Sequence, residues 1–310
     1  MGACTFREPP KPCRWFIGGG YCGQYYYICI DYALKRQPPL SFSSIQSWER
    51  CERRFYYSTV LGLEVPEDFR SVELRKGAKF HQIVSAGLGG AGGETWFSDE
   101  EWRDRISVEV LAEILLDSDK FDLLEPGGRS EVRVVKNGIV GVVDLLYDDY
   151  FCEFKFTSRP EHYLYDFTAH VQLHFYFYLL DGIVSKGFIL PIRTPNLKPL
   201  SLEGPEEFRE RLYHDIVRRP GYYFPRYSPD RTYPKWGLRF FKEEFTQDFS
   251  ERISYITEDI RRCISSGYWV QRFSNCLTPS QCEFFPVCER GDFLTPDSPE
   301  LNSYLRKEVA

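Results

Sequence analysis

No run of eighteen apolar residues occurs in this 310-residue chain, which excludes a helical membrane span. The first forty residues also lack the long apolar core of a secretory leader, and Phe6 stands where a myristoylation signal needs Ser or Thr. The chain therefore reads as cytoplasmic. None of its ten cysteines forms a C-x2-4-C pair, so the usual two-knuckle zinc arrangement is absent. Chain size and the missing leader disfavour a disulfide framework. No linker clearly divides the sequence, and 43% hydrophobic with 27% charged residues implies one large globular domain or two intimate ones. Residues 39–290 are expected to form it, between an irregular extension over 1–38 and a tail over 291–310. Cys4, Cys13, Cys22, Cys29 and the run Tyr25-Tyr26-Tyr27 in that extension match no motif.

What is present is charge inside apolar strands. Gly138 to Tyr147 reads as a strand, Asp148-Asp149 as a turn and Phe151 to Phe156 as the returning strand. A two-residue turn pairs Tyr147 with Tyr150 and so sets Asp144 opposite Glu153. Upstream, Asn137-Gly138 is a strong hairpin signal that pairs Lys136 with Ile139 and sets Glu131 opposite Asp144. Three carboxylates then share one row, with Glu131 resting on the register alone. Directly opposed like charges destabilise a sheet, whereas a divalent cation between them reverses the sign. The row reads as a site for a hard metal. Strand alternation puts Lys155 on the same face as Glu153. An exposed hairpin with an ordinary Glu–Lys pair is the simpler alternative, but Val142, Val143, Leu145, Leu146, Phe151, Phe154 and Phe156 are apolar on both faces, as in a central strand pair.

Two further groupings follow. The segment from Asp166 to Leu180 has helical length, and Gln172 and Tyr176 share one face of it. His170 and His174 flank Gln172 but lack the acid of a metalloprotease helix, so they are left out of the metal site. Cys276, Cys282 and Cys288 follow one another at equal spacing among Pro279 and Pro286, and Cys51 lies in an aromatic helix over 43–57 opened by Ser43 with Gln46. These four thiols form one candidate metal centre.

Gly141-Val142-Val143-Asp144, Glu153-Phe154-Lys155 and Gln172-Leu173-His174-Phe175-Tyr176, with Gly77 and His81 upstream, resemble in order and spacing the PD-(D/E)XK nucleases of the RecB-like family. Val143 replaces the proline of the name. The resemblance covers roughly Pro39 to Glu289. It implies an α/β restriction-endonuclease-like core, an antiparallel meander plus a further strand flanked by helices. It also implies that His81, Asp144 and Glu153, with the Phe154 carbonyl, hold Mg²⁺ or Mn²⁺, that Lys155 assists the attacking water, and that Gln172 and Tyr176 lie beside the active site.

The Cys51 helix and the late cysteines resemble the iron-sulfur members of that family, including AddB-type helicase-nuclease subunits and CRISPR-adaptation nucleases. This implies a [4Fe-4S] cluster on Cys51, Cys276, Cys282 and Cys288, although the first late interval is longer than the family's usual C-x2-C. Zinc remains the alternative for four thiolates.

The implied activity is that of a metal-dependent DNA exonuclease or end-processing nuclease, acting on single-stranded DNA or free ends, with a helicase or recombination protein as a possible partner. The alternatives are a noncatalytic DNA-end-binding module of the same fold and a zinc-stapled scaffold. No helix-turn-helix, zinc finger or basic recognition helix is visible outside the core, which argues against sequence-specific cutting. The net charge of −6 does not exclude nucleic acid, because phosphate contacts need only a local basic surface. Arg50, Arg53 and Arg54 supply one candidate surface. A second runs from Arg209 through Arg211, Arg218, Arg219, Arg226, Arg231 and Lys235 to Arg239, where Tyr222, Tyr223, Tyr227 and Trp236 are either base-stacking groups or core. Coarsely, a helix bearing His81, a helix over 99–116, strands over 130–157, a helix over 166–180, a strand over 186–193 and helices over 206–218 and 247–265 are expected. Loops are expected over 87–93 and 194–205.

Overall fold

The computed structural model describes residues 40–64, 71–89, 101–117, 121–165, 167–242, 248–277, 282–288 and 305–306. It opens with helices α1 (Phe42–Arg50) and α2 (Glu52–Phe55), a π turn over Tyr56–Val60 and the short strand β1 (Leu63–Glu64). Helices α3 (Val72–Gly87) and α4 (Trp102–Leu116) precede strands β2 (Arg129–Lys136), β3 (Ile139–Leu146) and β4 (Tyr150–Thr157). Helices α5 (Pro160–Tyr165) and α6 (Phe167–Leu179) then cross to β5 (Lys186–Arg193). Helices α7 (Pro205–Arg218) and α8 (Pro220–Tyr223), strand β6 (Leu238–Phe241), helices α9 (Asp248–Ser266) and α10 (Phe285–Cys288) and strand β7 (Leu305–Arg306) complete the order. Two compact units result, one from Arg70 to Ile253 and the other combining residues before 70 with those after 253.

The unit from Arg70 to Ile253 is built on a mixed five-stranded sheet in the order β2-β3-β4-β5-β6. Only β4 and β5 run parallel, as the α5–α6 crossover requires, and the other pairs are antiparallel. Both hairpin registers match the turn chemistry. Asn137 and Gly138 have positive φ, Lys136 pairs with Ile139, and the second turn pairs Leu146 with Phe151. One face of the sheet packs Leu145, Cys152, Phe154, Phe188, Leu190 and Ile192 against Phe80 of α3, Leu111 of α4 and Phe208 of α7. At Gly141 a Cβ would meet the Leu179 side chain at 2.5 Å, so glycine lets α6 approach β3.

Val142 is 42% exposed rather than covered, because its neighbour β2 is an edge strand with an exposed alternate row. Strand β6 was not foreseen; its four residues are too few for a periodic signal, and pairing with β5 makes them a strand. Gly87 belongs to α3 rather than to a loop, and residues 90–93 of that predicted loop lie outside the described ones.

In the other unit, α1 is capped by Ser41 with Ser44 rather than by Ser43 with Gln46. The predicted continuous helix over 43–57 breaks at Cys51, whose backbone is extended (φ −168°, ψ 122°). The residues after the break are tied to a distant segment, since Arg53 N–H donates to the Val270 carbonyl at 3.3 Å and the Glu52 carboxylate accepts from Val270 N–H at 3.1 Å. Trp48, Phe55 and Trp269 pack together beside it.

Candidate metal and catalytic centre

His81 on α3, Glu131 on β2 and Asp144 on β3 bring one ligand atom each to within 4.8 Å of one another. No other group of three such side chains is that close among the described residues. His81 Nδ1 lies 3.2 Å from Asp144 Oδ1, and Asp144 Oδ2 accepts from Phe154 N–H at 2.8 Å. Glu153 Oε1 in turn accepts from Asp144 N–H at 3.5 Å. Ladder pairing between β3 and β4 stops at Leu145 and Cys152, and these carboxylates take over the backbone N–H groups beyond it. The row of acids is thus wedged into an opening of the sheet. Pairing between β2 and β3 skips Glu131, which adopts φ +50°, although Ser130 and Val132 keep the register on both sides. That left-handed backbone costs a non-glycine residue roughly 1–2 kcal/mol, a strain of the kind concentrated at functional sites.

Glu153 is 2% exposed. It accepts from Gln172 Nε2 at 2.9 Å and from Lys155 Nζ at 3.4 Å, so α6 and β4 both hold it. Tyr176 does not reach the acids. Its hydroxyl donates to the Val142 carbonyl at 2.7 Å, fixing β3 two residues before Asp144. Sequence spacing could place Gln172 and Tyr176 on one face but not distinguish their partners.

The electrostatics divide the acids. Burial pushes the Glu153 carboxyl up to about 8, and the Asp144 charge adds to it. Burial also works to raise Asp144, yet the His81 charge and hydrogen bond, with Lys155 and Phe154 N–H, hold it below the usual carboxylate range. His81 is raised, because Asp144 outweighs burial, and Glu131 is raised by burial and the Asp144 charge. A carboxyl raised from its ordinary 4.5 to about 8 keeps its proton longer when folded, so it lowers stability progressively as pH rises across that window. His81 acts in the same direction, since a raised histidine loses its contribution as pH rises through its folded value. In chelated protein, Glu153→Gln is expected to reduce the fall in melting temperature between pH 5 and pH 8, removing on the order of 2–5 kcal/mol of pH-dependent destabilisation. Melts that fall equally in both proteins would contradict the assignment.

The four candidate cluster cysteines are buried and free of disulfides. Burial raises the Cys276, Cys282 and Cys288 thiols, and neighbouring cysteines add to it, Cys51 at Cys276, Cys288 at Cys282, and Cys51 with Cys276 at Cys288. Cys282 N–H donates to the Cys276 carbonyl at 2.7 Å, and Tyr57, Leu63 and Phe284 pack around Cys282 and Cys288. Arg50, Arg53 and Arg54 oppose the upward shifts, which favours thiolates when a metal is present. Arg54 also pairs with Glu283 at 2.7 Å.

Much of the second basic stretch is neutralised. Arg209 bonds Glu109 and Glu113, Arg211 bonds Glu203, Arg218 and Arg219 bond Asp215, and Lys235 bonds Asp122. Trp236 and Tyr223 are core residues, 0% and 1% exposed, not stacking platforms. Tyr222 is exposed but already carries Arg193 and Arg219 against its ring.

Residues 39–289 match the family model of the PD-(D/E)XK nuclease superfamily. No curated protein matches the chain. Among solved structures, a Eubacterium rectale protein provisionally named an exonuclease matches at 12% identity and a TM-score of 0.46, over 90% of this chain and 96% of that one. No helix among the described residues is long and apolar enough to cross a membrane.

Proposed function

This chain belongs to the PD-(D/E)XK nuclease superfamily, and we propose that it is a metal-dependent DNA exonuclease or end-processing nuclease of the RecB-like branch. The observation that carries the reading is the convergence of His81, Glu131 and Asp144 beside Glu153, which Lys155 and Gln172 contact directly. The donor set of one imidazole and carboxylate oxygens fits Mg²⁺ or Mn²⁺. His81, Asp144, Glu153 and the Phe154 carbonyl would hold the ion, with Glu131 as an added acid. When bound, it supplies Lewis acidity toward a phosphate oxygen and a lower pKa for water. Lys155 orients the attacking water and offsets negative charge gathering on the phosphate. Gln172 positions Glu153, and Tyr176 positions β3.

The cysteine quartet is assigned to a [4Fe-4S] cluster. The support is the likeness of the Cys51 helix and the late cysteines to the iron-sulfur members of the family, and tetrahedral zinc is the alternative for four thiolates.

The test compares substrates of one sequence. Rapid metal-dependent digestion of linear DNA bearing a single-stranded end is expected, with slow digestion of the covalently closed circular duplex and weaker cutting as salt rises. A discrete linear product from the closed circle would overturn the end-directed reading. Inertness toward every substrate with either metal would overturn catalysis and leave a DNA-end-binding module.

A further inference from the structure

Helix α3 holds two glycines that differ in what surrounds them. At Gly87 a Cβ would meet the Leu116 side chain at 2.3 Å, so packing against α4 requires the glycine. At Gly77, in the interior of the helix, a Cβ would meet no described atom within 4 Å. The backbone there is ordinary α-helix, so neither packing nor conformation calls for glycine. Glycine weakens a helix interior relative to alanine. Gly77 lies one turn before His81 on the same face of the helix. Leu74, three residues earlier on that stripe, is exposed. The stripe of α3 that leads to the candidate metal centre is therefore bare.

A second bare surface meets the centre from the sheet. Val134 pairs with Gly141 on the side that α6 covers, since a Cβ on Gly141 would run into Leu179 and Tyr176. The adjacent pair, Arg133 with Val142, therefore projects from the opposite face. Asp144, two residues past Val142, is on that face too, because it reaches His81 of α3. Glu131, Arg133 and Val135 form the exposed row of β2, and Val142 opposite Arg133 is exposed as well. Helix α3 leaves these residues uncovered because it lies over β4, where the Phe80 and Phe156 rings stack with centroids 5.1 Å apart. Arg133 has no ion pair or side-chain hydrogen bond among the described residues. Two residues of strand span about 7 Å, so Arg133 stands beside the acids of the centre without being neutralised by them.

Both surfaces end on His81, Glu131 and Asp144. Their exposed groups are apolar side chains, a glycine and one cation, a combination that suits an extended polyanion. A chain backbone can approach a helix closely where no Cβ projects. A guanidinium can grip a phosphate with two parallel hydrogen bonds, and Leu74, Val135 and Val142 offer contacts to sugars and base faces.

We infer that the substrate DNA strand crosses the metal centre between these two surfaces, its sugar–phosphate backbone lying against Gly77 and Arg133 binding the phosphate next to the scissile one. The inference rests on the nuclease reading above. Gly77→Ala should raise the melting temperature by about 1–4 °C, because nothing crowds the position, and yet lower kcat/KM on a single-stranded oligodeoxynucleotide. Gly77→Leu should lower that kcat/KM by about tenfold or more, while Mn²⁺ binding measured by calorimetry keeps its wild-type affinity. Arg133→Gln should make the logarithmic salt slope of oligonucleotide binding, read by anisotropy in chelator, shallower by about 0.7, and Arg133→Lys should restore it. Wild-type kcat/KM in Gly77→Leu, or a wild-type salt slope in Arg133→Gln, would overturn this path and leave the nuclease reading standing. A lower melting temperature in Gly77→Ala would show that folding needs the glycine and count against the path. Wild-type protein that neither binds nor cuts the oligonucleotide with either metal would overturn both.

Discussion

Asp144→Asn, Glu153→Gln and Lys155→Ala each lower metal-dependent DNA hydrolysis by on the order of 10³-fold or more, while the protein stays folded. Asparagine is the informative change at 144. The native carboxylate accepts from Phe154 N–H at 2.8 Å, and alanine would leave that buried donor unpaired at a cost of about 1–3 kcal/mol. An amide keeps an acceptor and removes the charge that the metal and His81 require. Glutamine at 153 likewise keeps the size of a side chain only 2% exposed. It removes a charge that burial and Asp144 already disfavour, so the loss should fall on chemistry and metal binding rather than on folding. Lys155 contacts Glu153 at 3.4 Å, and its removal takes away a cation beside the acids. Single-turnover cleavage of linear DNA, with thermal melts of the same preparations, reads both effects. A wild-type rate in any one variant would sink the site assignment.

Serine at Cys51, Cys276, Cys282 or Cys288 is expected to release iron and destabilise the unit that holds them. Metal binding and folding are coupled when the ligands come from distant parts of the chain. Cys51 comes from the break between α1 and α2, and the other three come from the segment after α9. A loss of about 3 kcal/mol would lower the melting temperature by roughly 6–12 °C. Serine at Cys152 or Cys263, both buried and outside the quartet, should leave the iron content unchanged. Protein purified without oxygen and analysed for iron, zinc and visible absorbance separates the outcomes. Stoichiometric zinc without iron would establish the alternative metal, and full metal retention in all four variants would remove the quartet altogether.

The hairpin registers were legible because they depend on local chemistry. Asn137-Gly138 and Asp148-Asp149 select tight turns, and the alternation on either side leaves one register in which Lys136 meets Ile139 and Leu146 meets Phe151. That register predicted Glu131 opposite Asp144 and Asp144 opposite Glu153, although the ladder skips Glu131 and ends before the second pair. The helices around His81 and Gln172 were legible for a similar reason, since one turn of helix fixes which side chains share a face.

Other features depend on partners far away in the chain. Gln172 donates to Glu153 whereas Tyr176 turns to the Val142 carbonyl, a choice set by how α6 lies on β3. At Cys51 the helix is interrupted where Val270 bonds the residues after it, its carbonyl accepting from Arg53 N–H and its N–H donating to the Glu52 carboxylate. β6 exists through its pairing with β5. Much of the basic stretch after Arg209 is cancelled by Glu109, Glu113, Glu203, Asp215 and Asp122. By itself the sequence determined turns, periodicity and the order of the acids, which arise from interactions over a few residues. Charge neutralisation, helix interruption and the opening of the sheet at Asp144 were decided by tertiary structure, because each depends on which polar groups folding brings together and shields from water.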